Sequence, residues 1–204
     1  GAGRGFCPGA DLKVMSGAKF GGYTPEQLLR FRVPLLLHEM PAVTIAAING
    51  ACAGAGMGWA CGADIRVAAR SANFNTAFLN VAVAGDMGLP WTLPRLVGAA
   101  KARELSFLVE KFSAEEAQRI GLVARVWDDD RFRAEVDAMV AKLAARSPVA
   151  LQSMKAHYVA AERLGFADFI AMETEKHGRI RQMEDTAEAF RAFVEKRAPR
   201  FTGR

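Results

Sequence analysis

Residues Asn49-Gly50-Ala51-Cys52-Ala53-Gly54-Ala55-Gly56-Met57-Gly58 place three glycines at alternate positions, 54, 56 and 58, between a short apolar strand and an apolar segment that reads as a helix. Glycine lets the backbone turn tightly and approach a ligand closely. A helix that starts in such a turn aims its unpaired N–H groups at whatever occupies it. The chemistry on offer is an anion or oxyanion site built from backbone alone. The same spacing also suits a strand-to-helix crossing in which two backbones pack. A second glycine-rich turn, Phe6-Cys7-Pro8-Gly9-Ala10-Asp11-Leu12-Lys13, lies near the N-terminus. Two turns far apart in sequence can each give one N–H to a single oxygen.

Other chemistries find less support. Gly54-x-Gly56-x-Gly58 departs from the dinucleotide fingerprint, because position 59 is Trp. No Walker lysine follows either turn, and no Gly-x-Ser-x-Gly elbow occurs. Cys7, Cys52 and Cys61 are odd in number, lack Cys-x-x-Cys spacing and have no histidine beside them in sequence, so they read as free thiols of a reducing compartment. His38, His157 and His177 are scattered without a ligand pattern, which argues against zinc. The net charge of +5 gathers toward Arg179, Arg181, Arg191, Lys196, Arg197, Arg200 and Arg204. That cluster suits a phosphorylated ligand or an ordinary solvated helix face, while the lack of interleaved aromatics disfavours nucleic acid. No signal peptide and no membrane-length apolar run is present, so the chain reads as soluble and cytoplasmic, with no membrane partner.

The elements that must position these turns are legible in part. With 204 residues, 51% of them hydrophobic, the chain can bury a substantial core. Thr24 to Met40 has helical spacing interrupted by Pro34 and stopped by Pro41. Ala42 to Ile48 is short, β-branched and apolar on both faces, as a buried parallel strand should be. Ile65 to Ala69 reads as a second strand. Ser113-Ala114-Glu115-Glu116 is a capping box opening a helix that Gly121 closes, and Leu122 to Trp127 follows as an exposed or edge strand. Helices are expected over Arg131 to Arg146, Pro148 to Leu164 (with Ser147 as N-cap) and Ala167 to Lys196. The organisation is an α/β part over residues 1–127 and a helical part over 128–204.

With both turns in view the chain resembles the crotonase, or enoyl-CoA hydratase/isomerase, family. The resemblance is carried by Gly3-Arg4-Gly5-Phe6-Cys7-Pro8-Gly9-Ala10-Asp11-Leu12, Pro41 to Gly50, Ala63-Asp64-Ile65-Arg66, Leu93 to Gly98, Ala114-Glu115-Glu116-Ala117, Ile120-Gly121-Leu122-Val123 and Ala189 to Arg197, in the family's order and spacing. It implies an α/β fold, a crotonase-like spiral of ββα units that carries the acyl-CoA site, followed by helices for oligomer contacts and site cover. Family members carry strands before the first glycine turn, so the chain reads as the remainder of a longer one. The resemblance further implies an acyl-CoA thioester as substrate and partner, no cofactor beyond that coenzyme A, and a homotrimer or homohexamer.

The resemblance also assigns residues. The backbone N–H groups of Ala10 and Ala55 would form the oxyanion hole for a thioester enolate. The family's hydratases use two glutamates; counted without gaps these fall on Gly58 and Phe78, neither of which exchanges a proton. Asp86, in Gly85-Asp86-Met87-Gly88, lies where family isomerases carry the single acid that moves a proton between two carbons of the acyl chain. Its neighbours Ala82, Val83, Ala84, Met87 and Leu89 would raise its pKa; an Asp between glycines also commonly caps the next turn. Met57, Trp59, Phe78, Met87, Leu89 and Trp91 are candidates for the acyl pocket, with Met87 and Trp91 flanking Asp86. Arg4 and Lys13 are candidates for the CoA phosphates, and Asp64 reads as structural. The leading expectation is double-bond isomerisation through Asp86, with an atypical hydratase or a non-catalytic acyl-CoA-binding member as alternatives.

Overall fold

The computed structural model describes residues 1–17 and 21–204, which divide into two compact units, residues 1–38 with 44–136, and residues 39–43 with 137–204. The first unit opens with β1 (Gly5–Cys7), followed by the short helices α1 (Leu12–Ser16), α2 (Pro25–Arg30) and α3 (Val33–Glu39). The chain continues through β2 (Ile45–Ile48), β3 (Ala51–Ala53), α4 (Ala55–Gly62), β4 (Ile65–Ala69) and β5 (Asn73–Asn75). A 3-10 turn over Phe78–Val81 leads to α5 (Leu89–Val97) and α6 (Ala99–Leu108), then β6 (Phe112–Ser113), α7 (Ala114–Arg119), β7 (Arg125–Trp127) and α8 (Asp129–Ala144).

β1 to β5 alternate between two open sheets, ordered β1-β3-β5-β6 and β2-β4-β7, and β6 adds to the first sheet beside β5 before β7 joins the second. All pairings are parallel except β5 with β6. Each circuit from β1 to β5 therefore lays one strand on each sheet, with Ile45 opposite Ile65 and Cys52 opposite Phe74. This is a spiral of ββα turns, and its interior is filled by Ile48, Cys52, Met57, Phe74, Leu89, Leu93 and Leu122, all 2% exposed or less. The Phe74 ring stacks on Phe112 at 5.4 Å, closing the antiparallel edge of the first sheet.

Several expected boundaries move for physical reasons. The helix expected over Thr24 to Met40 is two helices, α2 and α3. Pro34 sits at the second position of α3, where its missing N–H costs nothing, and it cannot continue a helix from above. Thr24 caps α2 with a full capping box to Gln27. The strand expected from Ala42 begins at Ile45, because the Thr44 N–H goes to the Asp64 carboxylate at 2.7 Å instead of to a neighbouring strand. The Thr44 hydroxyl also donates to Asp64 at 2.9 Å, so Asp64 has the structural role its position suggested. β7 is shorter than the stretch Leu122 to Trp127 and does lie at a sheet edge. Ser113 caps α7 through the Glu116 N–H at 3.2 Å, whereas the Glu116 carboxylate pairs with Arg119.

The second unit holds α9 (Pro148–Ala161), α10 (Phe166–Ile180) and α11 (Glu184–Val194). The long helix expected over Ala167 to Lys196 is broken after Ile180. The Thr186 hydroxyl donates to the Ile180 carbonyl at 2.7 Å, and Met183 turns to extended backbone as the cap of α11. Asp185, 4% exposed, accepts from the Ser147 hydroxyl (2.7 Å) and from the Thr202 and Gly203 N–H groups, tying the C-terminal segment to α11. Among the described residues, no helix is long and apolar enough to cross a membrane.

Candidate active site

The two glycine turns meet. β1 and β3 are parallel neighbours, with Gly5 opposite Ala51 and Cys7 opposite Cys52, so the loops leaving them lie side by side. Gly9 has φ +95, and a Cβ on it would stand 3.1 Å from the Ala53 carbonyl oxygen and 3.8 Å from the Ala55 nitrogen. Gly54, with φ +52, caps α4, and its own Cβ position lies 4.0 Å from Gly9 Cα. Gly56 packs on Cys7 so closely that a Cβ would come within 2.1 Å of the Cys7 carbonyl oxygen. The glycines therefore serve the close approach of two backbones, and the crossing and the candidate donor pair are the same construction.

Ala55 is the first residue of α4, where an N–H has no intrahelical acceptor. Among the described residues, neither its N–H nor that of Ala10 donates to a backbone carbonyl. Asp11 fixes the chain beyond Ala10 by accepting from Lys13 N and Val14 N at 2.9 and 3.3 Å. Two unengaged donors on adjoining turns can hold an oxyanion.

Asp86 lies in a loop of unusual backbone. Ala77, Ala82, Gly85, Met87 and Gly88 all have positive φ, and each non-glycine among them costs on the order of 1 kcal/mol. The Asp86 side chain does not cap α5: Gly88 is the cap and no side chain bonds there. Instead Asp86 Oδ1 is buried with no hydrogen-bond partner. Burial pushes its carboxyl above the ordinary carboxylate range. The loop touches α4 at Gly58, one helical turn beyond Ala55, where Met87 fills the space a side chain would occupy.

The other sequence candidates separate. Phe78 is half-buried against the core and near Gly85, with its Cδ2 4.0 Å from a Cβ built there. Met87 is half-buried against Gly58. Met57 and Leu89, 0% and 2% exposed, are part of the core. Trp59 is half-buried and its indole Nε1 is a buried donor without an acceptor. Trp91 is 44% exposed, stacked under the Arg95 guanidinium at 3.8 Å, with His38 edge-on at 5.6 Å. Arg4 and Lys13 are exposed on the chain that flanks the Gly9 turn. Among the described residues no His, Cys, Asp and Glu cluster could hold a metal ion.

Sequence reasoning missed Arg66. It is 8% exposed, and its guanidinium donates to the carbonyls of Leu122 (2.9 Å), Ala63 and Ala60, so it locks the end of α4 to β4 and to the chain before β7. The available signal was a single arginine inside an apolar strand, which must find partners to be buried.

Comparison with known proteins follows the same lines. The family model described as enoyl-CoA hydratase/isomerase matches residues 1–204. A Rhodobacter capsulatus protein named "Probable enoyl-CoA hydratase" is 38% identical over all of this chain and 79% of its own length. The 1,2-epoxyphenylacetyl-CoA isomerase of Escherichia coli is 36% identical, again over 100% of this chain and 79% of its own length. Among solved structures, an enoyl-CoA hydratase from Bacillus anthracis superposes with a TM-score of 0.91 at 29% identity, covering 100% of this chain and 79% of the other.

Proposed function

We propose, for a chain that belongs to the enoyl-CoA hydratase/isomerase family, that it shifts the double bond of an enoyl-CoA thioester, with Asp86 carrying the proton. The observation that carries this reading is the buried, unpartnered Asp86 carboxylate oxygen in a loop packed one turn along α4 from Ala55.

The step balances with one acid. The Asp86 carboxylate takes the C2 proton of a 3-enoyl-CoA. The electron pair moves onto the thioester oxygen, and the Ala10 and Ala55 N–H groups hold the dienolate. Each such donor is worth roughly 2.7–4 kcal/mol in a dry site. The protonated Asp86 then returns the proton to C4, leaving the double bond between C2 and C3. A raised carboxyl pKa brings the base and the conjugate acid closer in stability, which suits a group that must both take and return a proton. Phe78 and Met87 are the apolar side chains beside this loop, and with the exposed Trp91 they are the proposed acyl-pocket contacts; Met57 and Leu89 lie in the core and are not among them. Arg4 and Lys13 are the proposed phosphate contacts. We place the activity in a reducing cytoplasm, on the three free thiols, and in a trimer or paired trimers. The support for assembly is the exposed apolar face of α11, with Phe190, Phe193 and Val194 each at least 67% exposed.

The test is 3-enoyl-CoA turnover by the protein and by Asp86→Ala. The expected loss is about 10²-fold or more in kcat, the scale of a positioned general base. In the parent, kcat should rise with pH through a value above the ordinary carboxylate range. Equal rates in the two proteins end the proposal. Hydration is the second reading, favoured by the Rhodobacter capsulatus and Bacillus anthracis names. It predicts 3-hydroxyacyl-CoA from crotonyl-CoA, and absence of that product excludes it. Tight acyl-CoA binding without turnover would instead mark a non-catalytic member.

A further inference from the structure

α4 and the Asp86 loop touch through a position that has no side chain. Gly58 is buried, and a Cβ on it would stand 2.5 Å from Met87 Cβ and 3.1 Å from the Met87 carbonyl oxygen. Real Cβ atoms do not come as close as 2.5 Å, so a residue other than glycine at 58 must push α4 and the loop apart. The loop has little freedom to adjust elsewhere. At Gly85 the backbone runs past Pro90 closely enough that a Cβ would stand 3.0 Å from the proline ring. Met87 itself is held at φ +50, between Asp86 and Gly88 at φ +69. A non-glycine residue keeps such a backbone only when its surroundings determine it. Those surroundings include the bare Cα of Gly58.

We infer that Gly58 is the positioning residue for Asp86: its empty side-chain volume seats Met87, and through Met87 it sets how deeply the Asp86 carboxylate lies. The effect on rate rests on the proposed role of Asp86 in proton transfer; the effect on Asp86 titration does not. Gly58, Phe78 and Pro90, which neighbour this loop, carry no charge, and what raises the carboxyl is burial, with no charged group contributing to the shift. Lifting the loop admits water and lets Asp86 titrate at lower pH.

A double-mutant cycle tests this. Gly58→Ala places a Cβ against Met87. Met87→Gly removes the opposing Cβ and suits the positive φ, leaving only the 3.1 Å carbonyl contact, which relaxes with a shift of a few tenths of an ångström. Carbon-13 NMR of aspartate-labelled protein, with the Asp86 signal assigned by Asp86→Asn, reads the titration without substrate. Turnover of 3-enoyl-CoA reads kcat and KM. Gly58→Ala should move Asp86 titration to lower pH and reduce kcat by about 10- to 100-fold, the cost of a misplacement of about 1 Å, with KM little changed. When Met87→Gly is already present, adding Gly58→Ala should leave both titration and kcat nearly unchanged. An unshifted Asp86 titration in Gly58→Ala overturns the inference, as does an equal effect in both backgrounds. A parent that turns over no 3-enoyl-CoA while Asp86 titration still responds defeats the isomerase proposal and leaves this inference standing. If Gly58→Ala does not fold, recovery of folding by Met87→Gly is the expected result, and a double variant that also fails to fold overturns it.

Discussion

Asp86 carries an energetic signature that does not depend on any substrate. Its folded pKa is raised by burial, so between the ordinary carboxylate value and the raised one the native state holds more protons than the unfolded chain. Stability therefore falls as pH rises across that window, and the penalty is complete above it. Asp86→Asn keeps the shape and removes the charge. It should melt at a higher temperature than the parent near neutral pH, and the difference should vanish at acid pH, below both pKa values. Thermal melts of the two proteins across pH check this; identical curves throughout would mean the carboxylate is not dry. An activity-losing substitution that stabilises is the expected mark of a group kept for chemistry.

At the scale of elements, the joints between them hold the most consequence. Arg66 donates to four carbonyls, those of Leu122, Ala60, Ala63 and Asp64. The Ala60 carbonyl also accepts from the Ala63 N–H, so Arg66→Leu fills much of the volume but takes that donor from the other three, which should cost about 3 kcal/mol at 1–3 kcal/mol per orphaned group. A lower urea midpoint with an unchanged slope is the measurement, and a midpoint within error of the parent would refute it. The same scale explains what could be read in advance. β2 and β4 were legible because Ile45–Ile48 and Ile65–Ala69 are apolar runs flanked by breakers. β1, β3, β5 and β6 span two or three residues each, rich in Gly, Ala, Cys and Asn, and so short a run has no period to detect. The Ala10 and Ala55 turns were legible from glycine spacing. The Gly58–Met87 contact was not, because it joins residues 29 positions apart through an absent side chain, and pattern within one segment does not report what packs across two. The break between α10 and α11 was hidden too, since a threonine hydroxyl rather than a Gly or Pro ends α10.

At the scale of the whole molecule, each of the two units has its own fastening. In the helical unit it is Asp185. Burial pushes its carboxyl up, yet the Ser147 hydroxyl and the Thr202 and Gly203 N–H groups outweigh that and hold it below the ordinary range. A depressed pKa gives stability that is present above the unfolded value and lost as pH falls through the folded one. Asp185→Ala should lower the melting temperature at neutral pH, by less at acid pH, and expose residues 198–204 to limited proteolysis. A variant that melts and resists protease like the parent would show that the tail is held by other contacts. In the α/β unit the fastening is the parallel pairing of β1 with β3. The two proposed donors follow those strands, and their separation is set by the interstrand spacing of about 4.8 Å, not by the 45 positions that part Ala10 from Ala55. Between them in sequence, the Gly9 turn with its Asp11 cap is fixed beside β1, and Pro34 of α3 is buried against Gly62. α1 and α2 bury no residue, so length and composition are free there. The α1–α2 stretch can be lengthened, shortened or exchanged to admit a different acyl group while the proposed oxygen-binding pair keeps its geometry, so the substrate range and the bond chemistry of the proposed reaction can diversify independently on one spiral.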